Sequence, residues 1–390
     1  MNILFISPSN NPFVGAGWGA TQRTNLLFEA CLELGHVDVV AFKEGVESSK
    51  ENCRVLWSQT DSETMEGGRS QKLMDMLLSW RPNRMFPRNV SRSTVVDEIM
   101  RQSNDPYDFI VCRYVSEAME CGLMDYAERL VIDVDDNPVD TERIYAQTAR
   151  TFRNRLFHRV RSFYIDRTMR TIQKRCFFTF YSNPNQAKFP NSAYLPNIPF
   201  YNFEIPAVDF SCTSPRILFV GNLSYGPNRD GIDHFVRFVF PLIRLIVPNA
   251  ELHLVGGCND QVWVEKLQMT NGVLYRGFVD DLLMEYAAAR VTVAPIYSGT
   301  GTNIKVLESM QARRPCITTI CGFRGFDGCF SNNRELVVVD DDEEFSEQVV
   351  SLLTNIDRNH RMAEMAYQCV VTHFTREAFN SIVQLHLKKQ

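Results

Sequence analysis

A glycine-rich turn at residues 298–302, followed by Lys305 and Glu308, has the composition and spacing best suited to chemistry. A β-branched run at 291–296 predicts a strand before the turn, and Thr302 is expected to be the N-cap of a helix after it. A helix N-terminus with a nearby cation can bind a phosphate, and a carboxylate one turn further can accept two hydrogen bonds from a ribose diol. The pattern therefore indicates a nucleotide site. The alternative is that these glycines serve only tight packing, as in many α/β proteins.

Aspartates cluster in the first half of the chain. Asp133, Asp135 and Asp136 lie at the end of the predicted strand LVIDV. Ligands of open α/β sheets bind at the carboxyl ends of parallel strands, so these carboxylates could bind a metal or sugar hydroxyls, or act as a base. The alternative is a solvated turn that leads into the next helix at Pro138.

The elements around these residues alternate between strand and helix throughout the chain of 390 residues. MNILFIS begins the first run and RILFVG begins a second one, separated by the proline-bearing segment LPNIPFYNFEIPAVDFSCTSP. This pattern predicts two α/β domains in tandem, with a boundary near residue 205.

Charge and composition exclude several classes of function. The net charge is −5, which does not favour nucleic-acid binding. The 11 cysteines show no spacing suited to zinc, so we expect reduced core cysteines in a cytoplasmic protein. The N-terminus has no basic region typical of a signal peptide, and no run of 18 apolar residues predicts a membrane span.

The loop after the first strand contains GAGWGA, with Gly15, Gly17 and Trp18. Its glycines partly match a dinucleotide-binding fingerprint, but they do not follow the strand directly and the second strand does not end in an acidic residue. A substrate-facing loop is the preferred interpretation.

Residues 141–176 form a predicted long helix rich in arginine, with aromatic and aliphatic residues interleaved. Such a helix can lie on an anionic membrane surface. Alternatively, the arginines form a solvated face and the apolar residues belong to the core.

The second half resembles the retaining glycosyltransferases of the GT-B fold, in particular the GT4-like group 1 family. The resemblance covers residues 216–328 and is carried by ILFVGNLSYGPNRDGIDHF, YRGFVDDLLMEYAAARVTVAPI, GTGTNIKVLESMQARRPCITT and GFRGFDG. The first half is similar more loosely, through its strand–loop–helix start and LPNI. The resemblance implies two Rossmann-like domains facing across a cleft, with residues 1–205 binding the acceptor, residues 206–372 binding a nucleotide sugar, and a helix at 373–390 packing back on the first domain.

Further implications of the resemblance concern individual donor-side residues. Glu308 matches the second glutamate of an E-x7-E motif that holds the donor ribose, and Lys305 lies where related sequences place a lysine near the phosphates. The first glutamate of that motif is replaced by Thr300, at the position facing the donor sugar. The predicted donor-binding residues are Gly221, Asn222, Asn228, Phe278, Val279, Thr300, Gly301, Thr302, Asn303, Lys305 and Glu308.

The resemblance implies transfer of a sugar with retention of configuration. We expect no metal or other cofactor, because N–H groups and a cation can stabilise the leaving diphosphate. Expected catalytic residues are Lys305, Asp135, Asp136 and Arg113, with Gly15, Gly17 and Trp18 on the acceptor side.

The partners expected are a nucleotide-sugar donor and a glycan, lipid-linked or protein-bound acceptor. The protein is expected in the cytoplasm, with peripheral contact at the inner face of the membrane through the arginine-rich helix. The alternatives are a catalytically weak paralogue acting as a partner subunit and a nucleotide-sugar epimerase.

Overall fold

The computed structural model describes residues 1–15, 19–43, 46–47, 50–58, 86, 88–103, 106–149, 151–202, 204–211 and 213–388. The chain divides into two compact units, one formed by Met1–Pro196 with Arg376–Gln390 and the other by Asn197–Thr375. Each unit is a parallel sheet with helices in its crossover connections, as the alternation of strands and helices predicts. None of the described helices is long and apolar enough to cross a membrane.

The first unit contains a parallel sheet with the order β3-β2-β1-β4-β5-β6-β7 within the described residues. Its strands are β1 Asn2–Ser7, β2 His36–Ala41, β3 Cys53–Ser58, β4 Phe109–Arg113, β5 Leu130–Val134, β6 Phe178–Tyr181 and β7 Ser192–Tyr194. Its helices before the crossover to the second unit are α1 Gly19–Leu32, α2 Val90–Gln102, α3 Val115–Glu120, α4 Pro138–Thr148 and α5 Phe152–Arg175, with 3-10 turns at Leu123–Arg129 and Pro184–Gln186. The strand order reverses between β1 and β4, the position where such sheets bind ligands.

The second unit repeats this arrangement with the order β10-β9-β8-β11-β12-β13. Its strands are β8 Arg216–Val220, β9 Glu251–Val255, β10 Val273–Gly277, β11 Val291–Ala294, β12 Cys316–Thr318 and β13 Val337–Val338. Its helices are α6 Gly226–His234, α7 Phe240–Ile246, α8 Gln261–Gln268, α9 Leu282–Ala288, α10 Ile304–Gln311, α11 Asp342–Thr354 and α12 Ile356–His373. Here the reversal lies between β8 and β11, which places the loops after these two strands side by side.

The division between the units follows Pro196, whereas the sequence places it near residue 205. The reason is that the proline-bearing segment packs on the second unit. Ile205 is buried against Leu218 and Tyr286. Arg313 and Arg314 donate hydrogen bonds to the carbonyl oxygens of residues 205 and 206, at 2.9 and 3.0 Å.

The last helix, α13 Arg376–Leu387, belongs to the first unit. It packs on α1, and Asn380 and Gln384 donate hydrogen bonds to the carboxylate of Glu33 at 2.5 and 2.9 Å. The ring of His386 stacks on Phe178, with 4.6 Å between centroids. The segment that returns to the first unit therefore begins at Arg376, three residues after the predicted start.

The prediction of one long helix over residues 141–176 is wrong. The structure has two helices, α4 and α5, because the backbone turns extended at Ala149 and at Thr151. The hydroxyl of Thr151 accepts a hydrogen bond from the N–H of Asn154 at 3.2 Å and so begins α5. The segment SQKLMDMLLSW at residues 70–80, whose sequence predicts a short helix, lies outside the described residues.

Candidate functional site

The loop at 298–303 joins β11 to α10 at the carboxyl edge of the second sheet. Asn303, not the predicted Thr302, is the N-cap of α10: the N–H of Val306 donates to the carbonyl of Asn303 at 2.9 Å. The Asn303 side chain caps no N–H of the first helical turn and instead donates to the carbonyl of Gly322 at 3.2 Å. The first turn of α10 therefore presents backbone donors that suit an anion.

Lys305 lies in this first turn and reaches the first turn of α6, the helix that follows β8. Its ammonium group donates a hydrogen bond to the amide oxygen of Asn228 at 2.7 Å, and the Asn228 amide donates to the carbonyl of Asn222 at 2.8 Å. The ammonium also lies 4.3 Å from the centre of the Phe219 ring. A Cβ atom at Gly221 would lie 2.8 Å from the Lys305 nitrogen, so this lysine position requires glycine at 221.

Lys305 and Glu308 titrate close to neutral pH. Burial lowers the pKa of Lys305 to about 7, against the opposing effect of the Glu308 carboxylate. Burial also raises the pKa of Glu308 to about 7, and here the charge of Lys305 opposes the shift. Lys305 can therefore take up a proton at near-neutral pH when a phosphate binds beside it.

Glu308 lies one turn further along α10 and is 7% exposed. Two tyrosines surround it. A hydrogen bond from Tyr286 favours its charged form, and burial together with the Glu308 charge raises the pKa of Tyr201. Tyr201 is 44% exposed, whereas Tyr286 is fully buried.

Arg324 is a residue of this site that we did not predict, although it lies within the quoted GFRGFDG segment. Its guanidinium donates a hydrogen bond to the carbonyl of Gly299, where the backbone adopts a left-handed φ of +123°. Together with the Asn303–Gly322 hydrogen bond, this contact fixes both ends of the glycine-rich loop to the segment after β12. No local sequence pattern shows this contact, because 25 residues separate the partners.

This geometry agrees with what comparisons with known proteins show. Residues 214–355 match the family model described as "Glycosyl transferases group 1". The second unit carries a group 1 glycosyltransferase domain. The match includes the loop after β8, Lys305 and Glu308, so the predicted transferase is confirmed.

The fold of this glycosyltransferase is also confirmed by solved structures. Sucrose-phosphate synthase from Thermosynechococcus elongatus is 17% identical with a TM-score of 0.71, covering 99% of this chain and 98% of that one. HepE of Anabaena in complex with UDP-glucose is 14% identical with a TM-score of 0.65, covering 100% of both chains. WaaG, described as a glycosyltransferase involved in lipopolysaccharide biosynthesis, is 15% identical with a TM-score of 0.59, covering 99% of both. These similarities establish the GT-B fold.

One curated relative also matches along nearly the whole chain of the glycosyltransferase. It is described as "Uncharacterized 44.6 kDa protein in cps region" of Klebsiella pneumoniae. The two are 22% identical over 390 residues, which cover 94% of this chain and 95% of the relative.

The remaining predicted donor-binding residues lie on two loops of the second unit. Thr300 and Gly301 are half-exposed in the loop before α10. Phe278 and Val279 follow β10, and Phe278 is 82% exposed, which leaves its ring available for contact with a base. Their roles in donor binding stay predictions.

In the first unit, two of the predicted catalytic residues are joined in a buried charge network. Arg113 donates to a carboxylate oxygen of Asp135 at 2.8 Å and to Asp133 at 3.1 Å. Arg23, which we did not predict, forms two hydrogen bonds with Asp133 at 2.7 and 2.8 Å. Asp133 is fully buried and lies between two arginines, so it orders the edge of the sheet rather than meeting a substrate.

The other first-unit predictions have different surroundings. Asp136 is exposed at the carboxyl end of β5, next to the network. Gly15 is exposed, whereas Gly17 and Trp18 lie outside the described residues. Tyr114, which follows Arg113, has φ +61° and ψ +134°, a conformation costly for a residue with a Cβ atom. Its hydroxyl accepts a hydrogen bond from Arg113 at 3.2 Å, which holds it at this edge.

Proposed function

We propose that the protein transfers a sugar from a nucleotide-sugar donor to a glycan, lipid-linked or protein-bound acceptor. The observation that carries the proposal is the position of Lys305 at the start of α10, beside Asn228 and one turn from the buried Glu308. A diphosphate at this helix end would meet a cation and backbone donors, and the ribose would lie against Glu308. The UDP-glucose bound to HepE supports a uridine nucleotide as the donor.

The chemical task of the donor site is to stabilise charge on the leaving diphosphate. The Lys305 ammonium and the N–H groups of α10 are preorganised for it, so we propose a metal-independent reaction. The acceptor attacks the anomeric carbon from the face the diphosphate leaves, which retains the configuration. The anomeric configuration of the product, read by NMR, tests retention, and activity in the presence of EDTA tests metal independence.

On the acceptor side, the first-unit network suggests distinct tasks for its members. Arg113 and Asp135 neutralise each other at 2.8 Å, so they are better suited to orient hydroxyl groups than to transfer a proton. Asp136 is exposed beside them and is the better base in this group. Replacement of Asp136 by Asn should therefore lower kcat more than it raises the KM of the acceptor.

The decisive test is incubation with UDP-, GDP-, ADP- and CMP-sugars, with slow donor hydrolysis as the readout. Hydrolysis of one donor supports the proposal. The replacement of the expected glutamate by Thr300 motivates a catalytically weak partner subunit instead, which absence of both binding and hydrolysis would favour. Isomerisation of a nucleotide sugar without any acceptor would favour an epimerase.

We also propose a cytoplasmic location with peripheral contact at a membrane. No cysteine in the described part of the chain forms a disulfide, which agrees with a reducing compartment. On α5, Phe152, Leu156 and Phe163 are 78%, 47% and 65% exposed, so they are not core residues as the alternative interpretation requires. Exposed arginines flank them on the same face: Arg155, Arg159 and Arg167. No carboxylate in the described residues pairs with these three.

Vesicle sedimentation tests the membrane contact. Binding should require anionic lipid and weaken with added salt, and replacement of Arg155 and Arg159 by Gln should lower it roughly 25-fold, at about fivefold per arginine. The control variant Arg361→Gln removes an exposed arginine of the second unit and should bind as the unchanged protein does. Equal recovery with neutral vesicles, or none with either, would contradict this contact.

A further inference from the structure

A polar cavity of about 480 Å³ lies in the first unit, between α4, the second half of α5 and the 3-10 turn after β6. Asn137, which follows β5, and Asn183, which follows β6, both line the cavity. The cavity is thus built at the carboxyl edge of the sheet, where this class of fold binds ligands. Its wall is distinct from the Arg23–Asp133–Arg113–Asp135 network, because none of those four residues lines it.

Planar polar side chains dominate the wall of this cavity. Three amides, those of Asn183, Asn185 and Gln186, come from a single turn, and the buried Gln173 comes from α5. Amides offer a donor and an acceptor in one plane, which is the combination that neighbouring sugar hydroxyls require. Phe189 adds an apolar surface that can contact the C–H groups of a sugar ring.

Four of the five charged side chains that line the cavity form pairs with one another, and the fifth, Lys188, is exposed. Arg143 pairs with Asp140 at 3.1 Å, and Arg170 pairs with Asp166 at 2.9 Å. An anion entering the cavity would meet both carboxylates. The charges therefore favour a neutral, hydroxyl-rich ligand over a phosphate or a uronic acid.

One buried acceptor in the wall has no hydrogen-bond partner within the described part of the chain. The Gln186 amide donates to Asp140 at 2.6 Å, while its own oxygen is buried and unpaired. A buried acceptor without a partner is costly, and a turn of the Gln186 amide toward the cavity would let a ligand hydroxyl satisfy it.

We propose that this cavity is a subsite for a neutral sugar residue of the acceptor, remote from the sugar that is glycosylated. This inference rests on the proposed glycosyltransferase function and names a recognition site for its acceptor. Hydroxyl groups of the bound sugar donate to the Gln186 oxygen and accept from the amides of Asn183 and Asn185. The subsite selects acceptors longer than one sugar.

Saturation-transfer NMR on the full chain without donor tests the subsite. The probes are the methyl glycosides of glucose, galactose, mannose and rhamnose, together with methyl glucuronide and inorganic phosphate. We expect transfer to at least one neutral glycoside. Asn185→Trp, at an exposed wall position, and Gln186→Met should each weaken that binding at least about tenfold, because one blocks the space and the other removes the acceptor. Asn249→Trp, at an exposed position of the second unit, is the matched control and should leave binding unchanged.

The outcomes separate this inference from the function on which it rests. No transfer to any neutral glycoside, or preferred binding of glucuronide or phosphate, would overturn the subsite, as would binding unchanged in both variants. UDP binding measured by calorimetry on the same samples reports on the donor site alone. If the protein binds UDP and no glycoside, the subsite proposal is wrong and the donor site is unaffected. If it binds a glycoside and hydrolyses no donor, the subsite proposal stands and the proposed sugar transfer is wrong.

Discussion

The ammonium nitrogen of Lys305 lies 2.7 Å from the amide oxygen of Asn228, so the first turn of α10 is connected to the helix that follows β8. The loops after β8 and β11 meet because these strands are neighbours in the sheet. A neutral partner leaves the lysine charge available to a diphosphate. The identity of residue 228 therefore matters as much for donor binding as the lysine itself.

Replacement of Asn228 by Asp should weaken UDP binding about tenfold, because a carboxylate next to Lys305 would neutralise it and repel the phosphates. Calorimetric titration with UDP measures the effect. The control Asn259→Asp adds the same charge at an exposed position near the β9 end. Equal losses in both variants would show a general effect of net charge and contradict the pairing.

Binding of UDP should be accompanied by proton uptake at pH 8. Burial lowers the pKa of Lys305 to about 7, so its amine is largely deprotonated at pH 8 in the protein without UDP. The bound diphosphate favours the charged lysine and raises its pKa, so a proton is taken from the buffer. Calorimetry in two buffers of different ionisation enthalpy measures the uptake, and Lys305→Met should abolish it. Uptake that persists in Lys305→Met would assign the proton to another group.

Replacement of Glu308 by Ala should weaken nucleotide binding by about 1.5–3 kcal/mol, the usual loss for hydrogen bonds to a charged group. UDP and 2′,3′-dideoxy-UDP should be compared by calorimetry. In the unchanged protein the dideoxy compound should bind more weakly, whereas in Glu308→Ala the two should bind alike. Unchanged UDP affinity in Glu308→Ala would show that Glu308 does not bind the ribose.

Replacement of Asp133 by Asn should lower the free energy of unfolding of the protein by about 3–5 kcal/mol, because Arg23 and Arg113 would be left buried without their shared carboxylate. Urea denaturation followed by circular dichroism measures it. The control Asp125→Asn breaks the exposed pair with Arg88 and should cost under about 1 kcal/mol. A similar small loss in both would mean that the network contributes little to stability.

The sequence by itself determined the alternation of strands and helices and the donor-side motif. Apolar runs of four to six residues must be buried strands, and Lys305 and Glu308 share a helix face by their spacing alone. The two α/β domains follow from the same local signals, and the GT-B fold was implied by the family resemblance. In contrast, the single helix predicted over residues 141–176 fails because the extended backbone at Ala149 and Thr151 interrupts a pattern that appears continuous.

The tertiary structure decided which distant residues meet. Asn228 reaches Lys305, Arg324 reaches Gly299, and Arg23 reaches Asp133 across 77, 25 and 110 residues respectively. Such contacts depend on strand order, which periodicity does not encode. The structure also decided the environment of each charge: Asp133 and Asp136 are three residues apart, yet one is fully buried between arginines and the other is exposed. Burial sets the cost of a charge, so the carboxylate at position 133 needs its two arginines, whereas the one at position 136 is solvated.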